Sequence, residues 1–143
     1  MPKVRVIQGM ATFANCAIET AIFPQAVQIN SSGMFQNCTK LRKVVFPKKE
    51  RGSGVDKLTQ SIGQKAFSGC SALTEIVIGF KDLIASLISV NTFDGTPFAS
   101  GGTGGTVYVP EALIPEYQQA TNWSILYAAG TCNFVAIEGS EYA

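Results

Sequence analysis

Residues 66–78 read Ala-Phe-Ser-Gly-Cys-Ser-Ala-Leu-Thr-Glu-Ile-Val-Ile, and residues 34–46 read Met-Phe-Gln-Asn-Cys-Thr-Lys-Leu-Arg-Lys-Val-Val-Phe. Superposed, Phe35 matches Phe67, Cys38 matches Cys70, Leu41 matches Leu73, Val44 matches Ile76 and Phe46 matches Ile78. Five matched positions at one internal spacing define a repeat. A third copy lies upstream, where Phe13 and Cys16 fit and Ile18, Ala21, Phe23 and Pro24 follow after loss of one residue. A fourth, degraded copy keeps Phe93, loses the cysteine and reaches Val107-Tyr108-Val109-Pro110 through a glycine-rich loop. A unit of this size with one short strand cannot bury its own apolar face, so it must stack on its neighbours.

The steps between Phe13, Phe35, Phe67 and Phe93 are 22, 32 and 26 residues, and the longer steps locate insertions. One carries Lys48-Lys49-Glu50-Arg51-Gly52-Ser53-Gly54, whose charge and glycine content predict a solvated loop. The other holds the apolar stretch Leu83–Val90, an extra strand or short helix. Alternation within a unit sends Val44 and Phe46, or Ile76 and Ile78, inward. Lys43 and Val45, with Glu75 and Val77, then face outward. The phenylalanines and cysteines fall on the turn side, where stacking sets like side chains in columns. Cys16, Cys38 and Cys70 form one column and read as packed thiols, not as a reactive pair.

Composition narrows the chemistry. The chain has 143 residues, enough for one domain, with 46% hydrophobic and 15% charged residues. It contains no histidine, which removes Ser-His and Cys-His nucleophile pairs and every histidine-containing metal site. The four cysteines include no CxxC pair. Gly101-Gly102-Thr103-Gly104-Gly105-Thr106 lacks the lysine of a phosphate loop and precedes a strand where such a loop needs a helix. Glu111 and Glu116 are five apart and do not converge as a catalytic pair. These readings predict no enzyme, no catalytic residue, no metal and no cofactor. The start at Met1 shows no apolar leader, and no stretch approaches the length of a membrane span.

The charge is close to neutral in total, at +1, but unevenly placed. Residues 1–65 carry net +7 and residues 66–143 net −6. In a solenoid this becomes an axial dipole. Lys40, Arg42, Lys43, Lys48, Lys49 and Arg51 crowd one repeat, and such a patch attracts an anionic surface or the acidic end of a second copy.

Ile62-Gly63 with Ala66–Leu73, and the stretch Met34–Pro47, resemble the BspA-like leucine-rich repeats of bacterial surface proteins and of some protist and phage proteins. The resemblance covers roughly residues 7–110. Val107–Pro110 followed by Tyr117 and Asn122-Trp123 resembles the segment that closes such arrays. It implies an α/β-type solenoid, a short leucine-rich repeat array of single strands stacked into a sheet, with a small helical C-terminal cap. Residues 1–110 would form about four repeats, the first and last degenerate, and residues 111–143 a cap in the same domain. On its own terms the cap reads as a helix opened by Pro110 with Tyr117 on its apolar face. A second helix starts at Trp123, expected as a buried anchor that seals the final repeat, with Thr121-Asn122 as its N-cap, and Phe134–Ile137 forms a last strand.

The expected function is non-enzymatic binding or adhesion to a protein or anionic glycan surface, on a cell surface or a virion. The alternative is a phage or particle component that uses the repeat for receptor binding or assembly. A head-to-tail or symmetric homo-oligomer is possible in either case; specific nucleic-acid binding is not expected. The expected binding residues are Arg5, Arg42, Lys43, Val45, Lys48, Lys49, Arg51, Glu75, Val77 and Tyr108.

Overall fold

The computed structural model describes residues 4–6, 14–22, 33–46, 61–79, 84–87 and 89–142. Strands β1 (Val4–Val6), β2 (Thr20–Ile22), β3 (Lys43–Phe46), β5 (Glu75–Ile78), β7 (Gly105–Val109) and β8 (Cys132–Ala136) form one sheet in that spatial order. Every pairing in it is parallel. Two further strands, β4 (Ser61–Ile62) and β6 (Ser86–Leu87), pair in a second, two-stranded parallel sheet. Consecutive parallel neighbours require the chain to travel around and return between strands, which is the winding of a solenoid.

The turn side of each rung is as regular as its strand. Phe35 N–H donates to the Ala66 carbonyl at 2.7 Å and Asn37 N–H to Ser68 at 2.7 Å. One rung on, Phe67 N–H donates to Thr92 at 3.0 Å and Gly69 N–H to Asp94 at 2.7 Å. Within a rung, Cys38 N–H returns to Phe35 and Leu41 N–H to Cys38, both at 3.1 Å, and Cys70 and Leu73 repeat the pattern. The winding therefore satisfies its turn backbone by the rung above, much as strands do in a sheet.

This winding depends on a column that the phenylalanine–cysteine pattern does not reveal. Asn15, Asn37, Gly69 and Gly95 occupy one position in successive rungs and all have positive φ, at 61°, 61°, 81° and 74°. Asparagine and glycine are the residues that accept this left-handed backbone at least cost. At Gly69 a Cβ would also run into the Asn37 side chain. Asn/Gly two residues after the phenylalanine was thus a readable signal.

Between sheet and turns lies a continuous core. Phe35, Phe67 and Phe93 have no exposed surface and stack, at 5.5 Å and 8° for the first pair and 5.9 Å and 9° for the second. Phe13, expected to begin this ladder, lies outside the described residues, as do the charged loop at 48–54 and part of the insertion at 83–90. The described part of that insertion takes the strand form, as β6, and a 3-10 turn at Val90–Phe93 follows it into the fourth repeat.

At the far end, a 3-10 turn (Glu111–Leu113) leads into α1 (Ile114–Gln119), and α2 (Trp123–Ala128) follows. Pro110 precedes the 3-10 turn, and Pro115 is the proline in the first turn of α1. Trp123 is fully buried and continues the phenylalanine ladder, 5.9 Å from Phe93, as the anchor reading expects. The cap also completes the edge of β6. Trp123 Nε1–H donates to the Ala85 carbonyl at 2.7 Å, Asn122 Nδ2–H to Leu87 at 2.7 Å, and Ala85 N–H donates to Tyr117 Oη at 2.8 Å. Three side chains thus stand where a further strand would pair. Asn122 occupies the N-cap position as expected, but its φ of 69° and its bond to Leu87 leave α2 without a side-chain cap.

Truncating Phe67 to Ala opens the middle of the ladder and is expected to cost about 3–5 kcal/mol. Trp123→Phe keeps most of the ring volume but strands the Ala85 carbonyl, for about 1–3 kcal/mol. Chemical denaturation of each variant checks both values, and the larger loss should belong to Phe67→Ala.

Candidate functional site: the outward strand face

Strand register sorts the sheet into rows. Thr20, Lys43, Glu75, Thr106 and Asn133 stand side by side and make a polar row. Two residues along each strand, Val6, Ile22, Val45, Val77, Tyr108 and Val135 make an apolar one. Between them runs the row Ala21, Val44, Ile76 and Val107, all buried in the core. Alternation therefore puts the polar and apolar rows together on the outward face.

Lys43, Val45, Glu75 and Tyr108 lie in these outward rows and are partly exposed. Val77 also occupies the apolar outward row, yet it is only 2% exposed, which corrects its expected role as a contact residue. It sits on the middle strands, flanked along its row by Val45 on one side and Tyr108 on the other. Arg5 is corrected too. β1 pairs with Arg5 opposite Ala21, so its register position continues the inward row, while Val4 and Val6 take the outward ones.

The basic cluster is only partly described, since Lys48, Lys49 and Arg51 lie outside the described residues. Arg42 precedes β3 and pairs with Glu19 at 3.5 Å across the rung boundary. Lys43 approaches Glu75 at 3.9 Å along the polar row. Exposed pairs of this kind add about 0–1 kcal/mol each. Two of the cations expected to attract an anionic partner already face carboxylates.

The segment after β8 contributes a residue that no pattern in the sequence places here. Tyr142 returns to the outward face, its hydroxyl donating to Glu75 Oε2 at 2.5 Å and its ring 5.0 Å from that of Tyr108. Lys43 Nζ lies 4.9 Å from the ring centre. Burial, and then the bond to Glu75, push the Tyr142 phenol above its ordinary range, so it stays a neutral donor. Its position six residues beyond the last strand carries no periodicity that could have announced it.

Elsewhere the chemistry is structural. The Cys70 thiol donates to the Phe35 carbonyl at 3.1 Å and hydrogen-bonds Cys38. That bond lowers Cys38 to about 7 and raises its partner. Burial pushes Cys132 up to about 12. All four thiols are free, three of them buried and Cys16 half-buried. Among the described residues no three metal-ligating side chains converge. The glycine-rich loop is shaped by packing: a Cβ on Gly105 would enter the Phe98 ring, and one on Gly102 would meet the Pro97 carbonyl. A groove of about 400 Å³ lies between β6 and the helices, beside Leu87, Glu116 and Trp123. The polar tip of Trp123 there is already spent on the β6 backbone.

A short stack of parallel rungs, with one face of strands and a capped end, defines a repeat solenoid. The family model described as the BspA type leucine rich repeat region matches residues 3–81 and 54–100, with six copies, and the chain belongs to this family. That is two copies more than the phenylalanine markers identify. No curated protein and no solved structure matches the chain. The family suggests a protein-binding or adhesion-type module, is generally non-enzymatic and is typically surface-associated. Among the described residues no helix is long and apolar enough to cross a membrane.

The burial pattern of the thiols gives a direct expectation. A thiol reagent added to the native protein should modify Cys16 promptly, with Cys38, Cys70 and Cys132 reacting only as the chain unfolds. Counting modified thiols before and after denaturant checks this.

Proposed function

We propose that the chain is a non-enzymatic recognition module that binds a protein surface through its outward strand face. The observation that supports this best is the pairing of an apolar row, with Ile22, Val45, Tyr108 and Val135 at least partly exposed, and a polar row through Lys43 and Glu75. Apolar side chains on a regular platform supply buried area, while the adjacent charged residues restrict orientation and partner. Val135 is 42% exposed, so the apolar row reaches water at the β8 end of the sheet. Arg42 and Lys40 would flank the site and favour an acidic partner or an anionic glycan, and Lys48, Lys49 and Arg51, outside the described residues, add to the positive charge of this part of the sequence. Residues 1–110 serve in this reading as the repeat scaffold, residues 111–143 as its closing segment, and the module works at a cell surface.

Selection of binders from a displayed peptide library tests the face. Val45→Glu and Tyr108→Ala should weaken the selected peptides about tenfold or more, as central contact residues do. Gln64→Ala, an exposed change on the turn side, should leave them unaffected. Affinity should also fall with added salt where Lys43 contributes. Peptides insensitive to both face variants would overturn the assignment.

A further inference from the structure

The segment following β8 folds back across the sheet, and Ser140 sets the fold-back. Its hydroxyl donates to the Ile137 carbonyl at 2.6 Å and accepts from Tyr142 N–H at 3.1 Å. Tyr142 then reaches over its own strand and its neighbour. It touches Tyr108 on β7, Glu75 on β5 and Lys43 on β3, with one chemically distinct contact from each strand. Glu75 accepts the hydrogen bond of the phenol, Lys43 lies over the negative face of the ring, and Tyr108 tilts against it at 59°. Glu75 and Lys43 are in addition 3.9 Å apart, so the anionic and cationic elements hold one another in place. Tyr142 is only half-buried and is attached through a short polar segment, Glu138-Gly139-Ser140-Glu141, with positive φ at Gly139. It sits on the sheet without belonging to the core.

We propose that Lys43, Glu75 and Tyr108 form a niche for the tyrosine side chain of an acidic peptide segment of a protein partner, and that Tyr142 fills this niche in cis until such a segment displaces it. The proposal rests on the outward-face reading and adds to it the side chain that the face selects and the device that closes it. The acidic character follows from the occupant itself, since Glu138 and Glu141 flank the tyrosine while Lys40, Arg42 and Lys43 lie on the receiving rung. Replacing the ring with phenylalanine keeps the contacts with Lys43 and Tyr108 and removes the one with Glu75. A tyrosine is therefore distinguished from other aromatic residues at a single acceptor.

The test uses a synthetic peptide of residues 137–143, titrated into isotope-labelled protein and followed by NMR. Tyr142→Ala protein should show saturable shifts at Lys43, Glu75 and Tyr108. The unaltered protein should bind about tenfold more weakly, because a segment on a short tether competes at millimolar effective concentration. A peptide with Phe in place of its tyrosine should bind less well, and Glu75→Ala added to Tyr142→Ala should abolish the preference for tyrosine. If Tyr142→Ala impairs folding, Tyr142→Phe, which keeps the ring, should still admit the tyrosine peptide more readily than the unaltered protein does. No shift at these residues, equal binding to the unaltered protein, or a tyrosine preference that survives Glu75→Ala would each overturn the proposal. Library peptides that need Val45 but ignore Glu75 would overturn the niche alone and leave the outward-face reading standing.

Discussion

A single rung of this chain has a strand of three to five residues and one phenylalanine of the ladder, too little apolar surface to exclude water by itself. Its phenylalanine becomes buried only when the next rung sets another ring parallel to it, as Phe35, Phe67 and Phe93 do at 5.5 and 5.9 Å. That spacing is close to the separation of adjacent strands, so ring stacking and strand pairing demand the same rise per rung. The in-register sheet, the hydrogen-bonded turns and the cysteine column all follow from it. Insertions are accommodated where they leave this rise unchanged, in the loops between rungs.

A stack held together this way has the same weakness at each end: its last ring has nothing beyond it. At the β8 end the chain solves this by changing secondary structure. Trp123, on a helix, presents an indole to Phe93, and Tyr117 and Phe134 both pack edge-on around it, at 5.8 Å from Trp123 in each case. Trp123 and Tyr117 also carry polar tips, which satisfy the backbone of Ala85 just before β6. One group of side chains thus seals the apolar ladder and finishes the small sheet. Trp123, Tyr117 and Phe134 are spent on this task, while the sheet's outward face remains a surface free to specialise.

That face shows how a repeat separates structure from recognition. Inward positions hold alanine, valine, isoleucine and phenylalanine with almost no exposure, whereas the outward rows change from rung to rung: Thr20, Lys43, Glu75, Thr106, Asn133 in one and Ile22, Val45, Val77, Tyr108, Val135 in the other. The scaffold constrains the first set and leaves the second to selection by a partner. Tyr142 lies across Lys43, Glu75 and Tyr108, the most chemically varied part of that surface.

The sequence by itself determined the solenoid, because stacking requires like residues at like positions and the Phe-x-x-Cys-x-x-Leu spacing is the direct trace of that requirement. It also determined which residues are inward on β3 and β5, since period-two alternation needs no tertiary information. Trp123 as a buried anchor was legible for the same reason, as an apolar end must be covered. Three features were decided only by the folded chain. Arg5 lies in an inward register row because pairing with β2, not alternation within a three-residue strand, fixes its parity. Val77 is covered because of what stands on the strands beside it, 32 residues before and 31 after in the chain. Tyr142 reaches Glu75 across 67 residues of sequence. Local pattern encodes what a residue's own rung requires; which side chains meet across rungs depends on the register and on the path of the chain after the last strand.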